Sequence, residues 1–207
     1  MEIIGGDNLA GSYFYFLAWM GWIVATFFLK KDTFRLYVSA AILLFISCSQ
    51  TMISISSFTI SANALLLGGI SFTGIAVYSV WKKIYTLLCA LIIAMLYTSF
   101  SLIELYDPIW IVINRTWMLS GILVYTSILL HRDRLLRIWG LYVGALQGEV
   151  FVAFVLKNLN FPYQLGSLQF FNMIAVSTMF FSLLYSVGKI MTYTGQFKQK
   201  QVKEGQG

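Results

Sequence analysis

The chain has 207 residues, of which 59% are hydrophobic and only 11% are charged. Soluble domains carry about a quarter charged residues, so this composition excludes an ordinary water-soluble globule. A net charge of +6 could suggest nucleic-acid binding, but the basic residues stand in short clusters between apolar runs instead of along one hydrated face. We therefore expect the lipid bilayer as a partner and no nucleic acid.

Seven apolar runs, separated by charged or turn-rich segments, are candidates for membrane-spanning helices. They cover residues 13–29, 36–58, 62–81, 84–106, 109–130, 135–156 and 168–187. The stretch 36–81 carries no charge and is about twice as long as one bilayer crossing, so it must turn once. Polar side chains that can satisfy the backbone of a turn mark the place: Ser56, Ser57, Thr59, Ser61 and Asn63.

The predicted fold class is all-α, an integral membrane bundle of seven transmembrane helices within residues 1–190. Residues 191–207 are predicted to form a basic cytoplasmic tail without fixed structure, which touches anionic lipid headgroups. The expected location is the plasma membrane, as a multi-pass protein.

Orientation follows from the positive charges, because short loops rich in Lys and Arg stay on the cytoplasmic side. Alternate connections carry most of the cations, namely Lys30, Lys31, Arg35, Lys82, Lys83, Arg132, Arg134, Arg137 and Lys189. The other connections carry Lys157 and the acidic residues Glu2, Asp7, Glu104 and Asp107. With seven crossings, this distribution predicts an N-terminus outside the cell and a C-terminus in the cytoplasm.

Two charged residues, Arg115 and Glu149, lie inside predicted spans, where an unpaired charge costs at least a few kcal/mol. Both lie about 9 to 12 Å below the outer ends of their spans, so neighbouring antiparallel helices would bring them to one level. We therefore predict an ion pair between them. Glu104 could reach Arg115 from above, while Asn114 and Gln147 offer amide hydrogen bonds. These five residues are called the polar cluster below.

Two interpretations of the polar cluster remain open. In the first, the cluster is a structural ion pair that holds spans five and six together. In the second, it is a substrate site or a proton relay in which Glu149 titrates. A sealed pair would favour the first interpretation, and a water-filled cavity would favour the second.

Small residues mark one face of the sixth span. Gly140, Gly144 and Gly148 form two overlapping GxxxG motifs, which let another helix approach closely. We expect this helix to come from the same chain, with a dimer contact as the alternative. The third span carries a less regular face of this kind at Gly68, Gly69 and Gly74.

Motifs for catalysis are missing from the sequence. His131 is the one histidine, so no site with two histidine ligands can form, and we expect this residue at the inner membrane boundary. Neither a GxSxG nucleophile motif nor a GxxxxGK[ST] phosphate loop occurs. Cys48 and Cys89 lie within predicted spans, which makes a disulfide framework improbable. We predict no catalytic residue, no metal site and no cofactor.

Four segments carry a resemblance to a known family: WMGWIVATFFLKK at 19–31, ELYDPIWIVINRTWML at 104–119, QGE at 147–149 and FPYQLGSL at 161–168. In these segments the chain resembles the YphA family of multi-pass membrane proteins from Bacillus-type bacteria, nearly from end to end. The resemblance implies the plasma membrane of a Gram-positive bacterium and implies no activity. Its motifs include Glu104, Arg115 and Glu149.

Two classes of function are compatible with these features. We expect a non-catalytic membrane accessory or binding protein, with another membrane protein as candidate partner. The alternative is a small transporter or proton-coupled carrier that uses the polar cluster. An intramembrane enzyme is the least favoured class, and the oligomeric state does not follow from the sequence.

Overall fold

The structure is a computed structural model that describes residues 11–55, 58–107, 109, 114–159, 161 and 163–204. The described part of the chain is mostly helical, with seven helices and one small sheet. The helices are α1 (Ser12–Phe28), α2 (Thr33–Ser47), α3 (Ala62–Ala76), α4 (Val80–Tyr106), α5 (Arg115–Leu130), α6 (Arg134–Asn158) and α7 (Leu168–Glu204). The strands are β1 (Met52–Ile55), β2 (Phe58–Ser61) and β3 (Gln164–Leu165).

Each predicted span overlaps one of these helices, but several boundaries differ, and two of the differences bear on the site. Helix α2 ends at Ser47 instead of continuing to residue 58. Helix α5 begins at Arg115 instead of residue 109, with Asn114 as its N-cap. The Asn114 side chain accepts a hydrogen bond from the Thr116 amide at 3.0 Å, which is the usual role of asparagine at a helix start.

The turn predicted after the second span is a β-hairpin. Strands β1 and β2 pair antiparallel, with Met52 opposite Ser61, and β2 pairs parallel with β3 through Thr59 and Gln164. Isoleucine, threonine and phenylalanine favour strands, which accounts for extended structure in an otherwise helical chain. Ser56 and Ser57 lie outside the described residues.

Two of the predicted turn residues anchor the hairpin to the helices. The Ser61 hydroxyl accepts a hydrogen bond from the Ala64 amide and caps α3. The buried Asn63 side chain donates to the Phe45 carbonyl of α2 at 2.9 Å. Hydroxyl and amide groups therefore satisfy backbone atoms that the change of direction leaves free.

The glycine face of α6 lies against α4. A Cβ atom on Gly144 would come within 2.7 Å of the Ala90 carbonyl oxygen, and one on Gly148 would come within 2.7 Å of the Tyr97 ring. A Cβ atom on Gly140 would come within 2.8 Å of the His131 ring. Because these positions lack a side chain, α4 and α6 approach closely along their length. Gly74 of α3 makes similar room for the Trp139 ring, because a Cβ atom on Gly74 would come within 2.6 Å of this ring.

Contacts between helix ends sort these ends into two groups. At the end that holds the sheet, which we call the sheet end, Phe14 of α1 donates its amide to Asn172 of α7, and Tyr15 bonds to Ser49 after α2. At the opposite end, which we call the basic end, Lys82 of α4 pairs with Asp133 before α6 at 3.0 Å. Successive helices therefore run in alternating directions.

The surface of the bundle is strongly apolar. Large hydrophobic side chains are exposed on all seven described helices, and Phe28, Val77 and Trp81 are 80%, 87% and 84% exposed. Exposed apolar area of this extent is unfavourable in water and is expected where lipid surrounds a protein.

Four helical segments among the described residues are long and apolar enough to cross a membrane: Thr33–Gln50, Val80–Tyr106, Arg134–Asn158 and Leu168–Thr192. The helices Ser12–Phe28, Ala62–Ala76 and Arg115–Leu130 are apolar but shorter.

Helix α7 continues to Glu204, so residues 191–204 extend the helix where the composition predicted a tail without fixed structure. This segment is rich in glutamine, lysine and glutamate, which have high helix propensity, and it continues a helix that has already formed.

Candidate functional site

Glu149 is the most deeply buried charged residue of the predicted polar cluster. It lies on α6 with only 2% of its surface exposed, nine residues before Asn158 and so about 14 Å from the end of the helix. The hydroxyl of Tyr163 donates a hydrogen bond to its carboxylate. The hydroxyl of Tyr97, which α4 contributes, interacts with the same carboxylate. The hydroxyl groups of two tyrosines therefore interact with the Glu149 carboxylate.

Tyr163 is a hydrogen-bond donor throughout the physiological pH range. Burial, together with the neighbouring Glu149 carboxylate, raises the pKa of the Tyr163 phenol above its ordinary value. The phenol therefore keeps its proton and donates it to the carboxylate. Tyr163 lies between α6 and α7, beside β3, and so connects the sheet end to the helical interior.

Arg115 binds Glu104, as the sequence predicted, and also Gln169, which the sequence did not predict. Its Nε donates to Glu104 Oε2 at 2.5 Å, and its Nη1 donates to the side-chain oxygen of Gln169 at 3.0 Å. The Arg115 and Glu104 side chains are 31% and 23% exposed, so the pair is partly hydrated. It connects the end of α4 with the starts of α5 and α7.

The described residues show no direct ion pair between Arg115 and Glu149, although the two groups interact electrostatically over a longer distance. The reason is the start of α5, because Arg115 is the first residue of this helix and not a residue of its interior. At that position the guanidinium reaches Glu104, which lies at the neighbouring helix end. Glu149 lies deeper and is surrounded by tyrosines.

The two amides of the polar cluster differ in their hydrogen bonding. Asn114 caps α5, as described above. Gln147 has a buried side-chain oxygen without a hydrogen-bond partner in the described part of the chain. The polar cluster thus contains a partly exposed ion pair, a helix cap, an amide with an unpartnered oxygen and a deeply buried carboxylate.

Tyr97 contributes to both the surface and the buried parts of this region. With Arg115 and Gln169 it lines a space of about 10 Å³ at the sheet end, which is about the volume that one water molecule requires. Tyr97 is 2% exposed, and it also packs against Gly148 and Phe170 and interacts with Glu149. The side chain of Glu149 does not itself line this space.

Sequence reasoning did not identify Tyr97, Tyr163 or Gln169 as partners of the charged residues. Tyr97 lies within an apolar run, where a tyrosine is easily counted as a hydrophobic residue. One signal was present, because a tyrosine deep inside a membrane span requires a partner for its hydroxyl, and a carboxylate such as Glu149 can accept more than one hydrogen bond.

His131 lies at the basic end, in the connection between α5 and α6, and is 2% exposed. Its ring packs against Gly140 and Tyr85, and both ring nitrogens lack a hydrogen-bond partner in the described part of the chain. Burial, with a further contribution from Arg137, lowers the pKa of His131, so the ring is neutral at physiological pH. Among the residues with described structure, no three potential metal ligands lie together.

Comparisons with known proteins agree with these structural features. The family of YphA-like integral membrane proteins matches residues 10–207. The chain is 26% identical over 198 residues to "Uncharacterized protein YphA" of Bacillus subtilis (strain 168), with 94% of this chain and 96% of the relative covered. No solved structure matches the chain. The resemblance found in the sequence motifs is thereby confirmed, and the chain belongs to the YphA-like integral membrane protein family.

Proposed function

We propose that this protein is a non-catalytic accessory or binding protein of the plasma membrane that crosses the bilayer seven times. The observation that carries this proposal is the enclosure of Glu149, which is 2% exposed and bound by Tyr163. A carrier that uses this carboxylate needs a route for water or substrate to reach it. The space beside Tyr97 holds about one water, which favours a structural role for the carboxylate.

The alternating helix directions support seven crossings. Strand β2 lies before α3, and strand β3 lies before α7. Because the two strands pair, they lie on the same side of the bundle, so an even number of crossings separates them. Helix α3 has 15 residues and alone covers only about 22 Å. Strand β2 directly precedes α3. The backbone N–H and C=O groups of β2 form hydrogen bonds within the sheet, and non-helical backbone at membrane depth requires such partners.

The charge distribution supports an outward-facing sheet end. Lys30, Lys31 and Arg35, followed by Lys82 and Lys83, belong to connections at the basic end. The sheet end carries Arg115, which is paired with Glu104, and Lys157. The positive-inside rule then assigns the basic end to the cytoplasm and the N-terminus to the outside.

A proton-coupled carrier is the alternative, and one observation favours it. Tyr97 contacts Glu149 and also lines the water-sized space beside Arg115. A modest movement of α4 or α5 would connect the carboxylate with the outer surface through this tyrosine. In that case Glu149 would take up and release protons during transport.

Thiol labelling tests the enclosure of Glu149 without knowledge of a substrate. Glu149→Cys and the exposed control Tyr106→Cys are compared in a background with Cys48→Ser and Cys89→Ala, using a membrane-impermeant maleimide. The accessory function predicts labelling at position 106 and none at position 149. Rapid labelling at position 149 from outside would indicate a water-filled route and would favour the carrier.

Proton flux into liposomes provides a second test. Wild-type protein and Glu149→Gln are reconstituted with an internal pH-sensitive dye, and a potassium diffusion potential is applied. We expect the flux of both proteins to equal that of empty liposomes. A wild-type flux that disappears in Glu149→Gln would overturn the accessory assignment.

The positive test of an accessory role is isolation from native membranes in lipid nanodiscs. We expect a second membrane protein to be retained in fixed ratio through two different purification tags. A chain that is always isolated alone would contradict the proposal.

A further inference from the structure

A cleft lies between the start of α6 and the second half of α7, near the basic end and far from the polar cluster. It has a volume of about 620 Å³, which is within the range of sites for small organic molecules. Its walls follow α7 from Thr178 to Tyr185, which is about 10 Å of helix. The cleft therefore extends from the charged helix start toward the apolar interior.

The cleft exists because α6 and α7 separate at this level. The Tyr142 hydroxyl of α6 meets the Thr178 hydroxyl of α7 at 2.7 Å, which is the last polar contact between the two helices before the cleft. Helix α7 packs mainly on α1 and α5 instead. Neither Tyr142 nor Thr178 leaves a free hydrogen for a ligand, because Thr178 donates to the Ile174 carbonyl.

Two arginines supply the charge of the cleft. The Arg134 guanidinium lies over the Tyr185 ring, 5.3 Å from its centroid, and Arg137 donates through Nε and Nη2 to the His131 carbonyl at 3.1 and 2.9 Å. These contacts hold the guanidinium groups in place while leaving N–H groups on both for an anion. Asp133, the nearest acidic residue in sequence, is engaged by Lys82.

The remaining walls are apolar. Leu135 and Ile138 of α6 face Phe181 and Leu184 of α7. Leu135 and Leu184 are 59% and 51% exposed, so the cleft opens onto the surface of the bundle where lipid lies. Among the residues that the structure describes, no acidic side chain lines the cleft. A ligand that fits has a negative headgroup at the arginines and a hydrocarbon chain along these walls.

We propose that this cleft binds one anionic phospholipid of the leaflet at the basic end. The phosphate lies against Arg134 and Arg137, and an acyl chain lies between α6 and α7 along Leu135, Phe181 and Leu184. Basic pockets between membrane helices on the cytoplasmic side are suited to such headgroups. This inference goes beyond the proposed function, since it holds for an accessory protein and for a carrier alike.

Lipid retention tests the proposal. The full chain is reconstituted in phosphatidylcholine nanodiscs that contain some phosphatidylglycerol, transferred to neutral detergent, washed and analysed for bound lipid by mass spectrometry. We expect phosphatidylglycerol to be retained at about one molecule per chain. We expect Arg134→Gln to weaken retention about fivefold, and the double variant Arg134→Gln with Arg137→Gln to weaken it further.

The matched control removes the same charge elsewhere at the basic end. Lys30→Gln with Lys31→Gln changes two exposed lysines outside the cleft and should leave retention unchanged. Because Arg137 also holds the His131 carbonyl, a second variant keeps both arginines: Leu184→Trp fills the apolar part and should reduce retention while the protein remains monodisperse.

Three results would overturn the proposal. The first is equal retention of phosphatidylcholine and phosphatidylglycerol. The second is an equal loss in the lysine control. The third concerns the unfolding temperature. If inorganic phosphate alone raises it as much as phosphatidylglycerol does, the cleft is a small-anion site in place of a lipid site.

Discussion

The carboxylate of Glu149 and the guanidinium of Arg115 are stabilised in different ways. Glu149 is out of contact with solvent and depends on hydrogen bonds from phenols, which stabilise a charged acceptor by about 1.5–3 kcal/mol each. Arg115 is partly hydrated and pairs with an equally accessible glutamate. Partly exposed ion pairs of this kind contribute little to stability. Tyr163 is therefore more important for Glu149 than Arg115 is.

We predict that Tyr163→Phe lowers the free energy of unfolding by roughly 1–3 kcal/mol, because it removes one of the two phenol donors of a buried carboxylate. Thermal unfolding in detergent measures this effect. Tyr106→Phe removes the same hydroxyl from a residue that is 93% exposed and should leave the unfolding temperature unchanged. Equal behaviour of the two variants would contradict the role of Tyr163.

Double-mutant cycles separate the two possible partners of Arg115. We expect a coupling of about 0.2–1 kcal/mol between Arg115→Met and Glu104→Gln, because these side chains touch at a partly exposed position. The cycle of Arg115→Met with Glu149→Leu should give a smaller coupling. A larger coupling for the second cycle would restore the ion pair that the sequence alone predicts.

The sequence predicted that Glu104 reaches Arg115, which the structure confirms, and it also predicted a direct contact between Arg115 and Glu149, which the described residues do not show. Depth along a helix follows from residue counting only when the start of the helix is known. The start of α5 at Arg115 moved this residue from the predicted interior to a helix end. Glu149 was placed correctly within its helix, because both ends of α6 lie within two residues of the prediction.

At the scale of elements, the contact between α4 and α6 depends on the absence of side chains at two glycines, Gly144 and Gly148. Gly144 meets backbone, at the Ala90 carbonyl, and backbone cannot move aside as a flexible side chain can. The glycine spacing in the sequence predicts such a contact, whereas the identity of the facing helix comes from the structure alone.

We predict that Gly144→Ala destabilises the protein by about 1–3 kcal/mol, because the added methyl group pushes α4 away from α6. The control is Gly121→Ala on α5, where a Cβ atom would meet nothing within 4 Å. There the better helix propensity of alanine should leave stability unchanged or raise it by up to about 1 kcal/mol. Unfolding temperatures in detergent compare the two, and a tolerated Gly144→Ala would exclude close packing at this glycine.

The β-hairpin is the element that apolar periodicity predicted least well. Residues 52–61 are as apolar as the helices beside them, so hydropathy extended the second span through this segment. Hairpin formation depends on pairing with β3, which lies about a hundred residues later in the chain. A window of neighbouring residues contains no information on such a partner.

At the scale of the whole molecule, the grouping of helix ends and the charge distribution agree. The sheet and the pair of Arg115 with Glu104 lie at one end, and most of the cations lie at the other. The two arguments are independent. The contacts show which helix ends lie together, and the count of positive charges shows which group of ends is basic.

We predict that single cysteines report opposite sides of the membrane. In a background with Cys48→Ser and Cys89→Ala, Asn160→Cys should react with an impermeant thiol reagent added to intact cells. Asp133→Cys should react only after the cells are opened, since it belongs to the basic end. The reverse pattern would invert the orientation, and labelling of both from outside would contradict the alternating directions.

The sequence by itself determined that lipid surrounds this protein, where its helices lie and which family it belongs to. These properties depend on composition, on local apolar runs and on short motifs, which neighbouring residues carry. Only the tertiary structure decided that tyrosines bind Glu149, that Gln169 binds Arg115, and that α6 and α7 separate to form a basic cleft. Each of these contacts joins residues from different elements of the fold, so it depends on how the helices and their connections pack and not on what directly precedes or follows each residue.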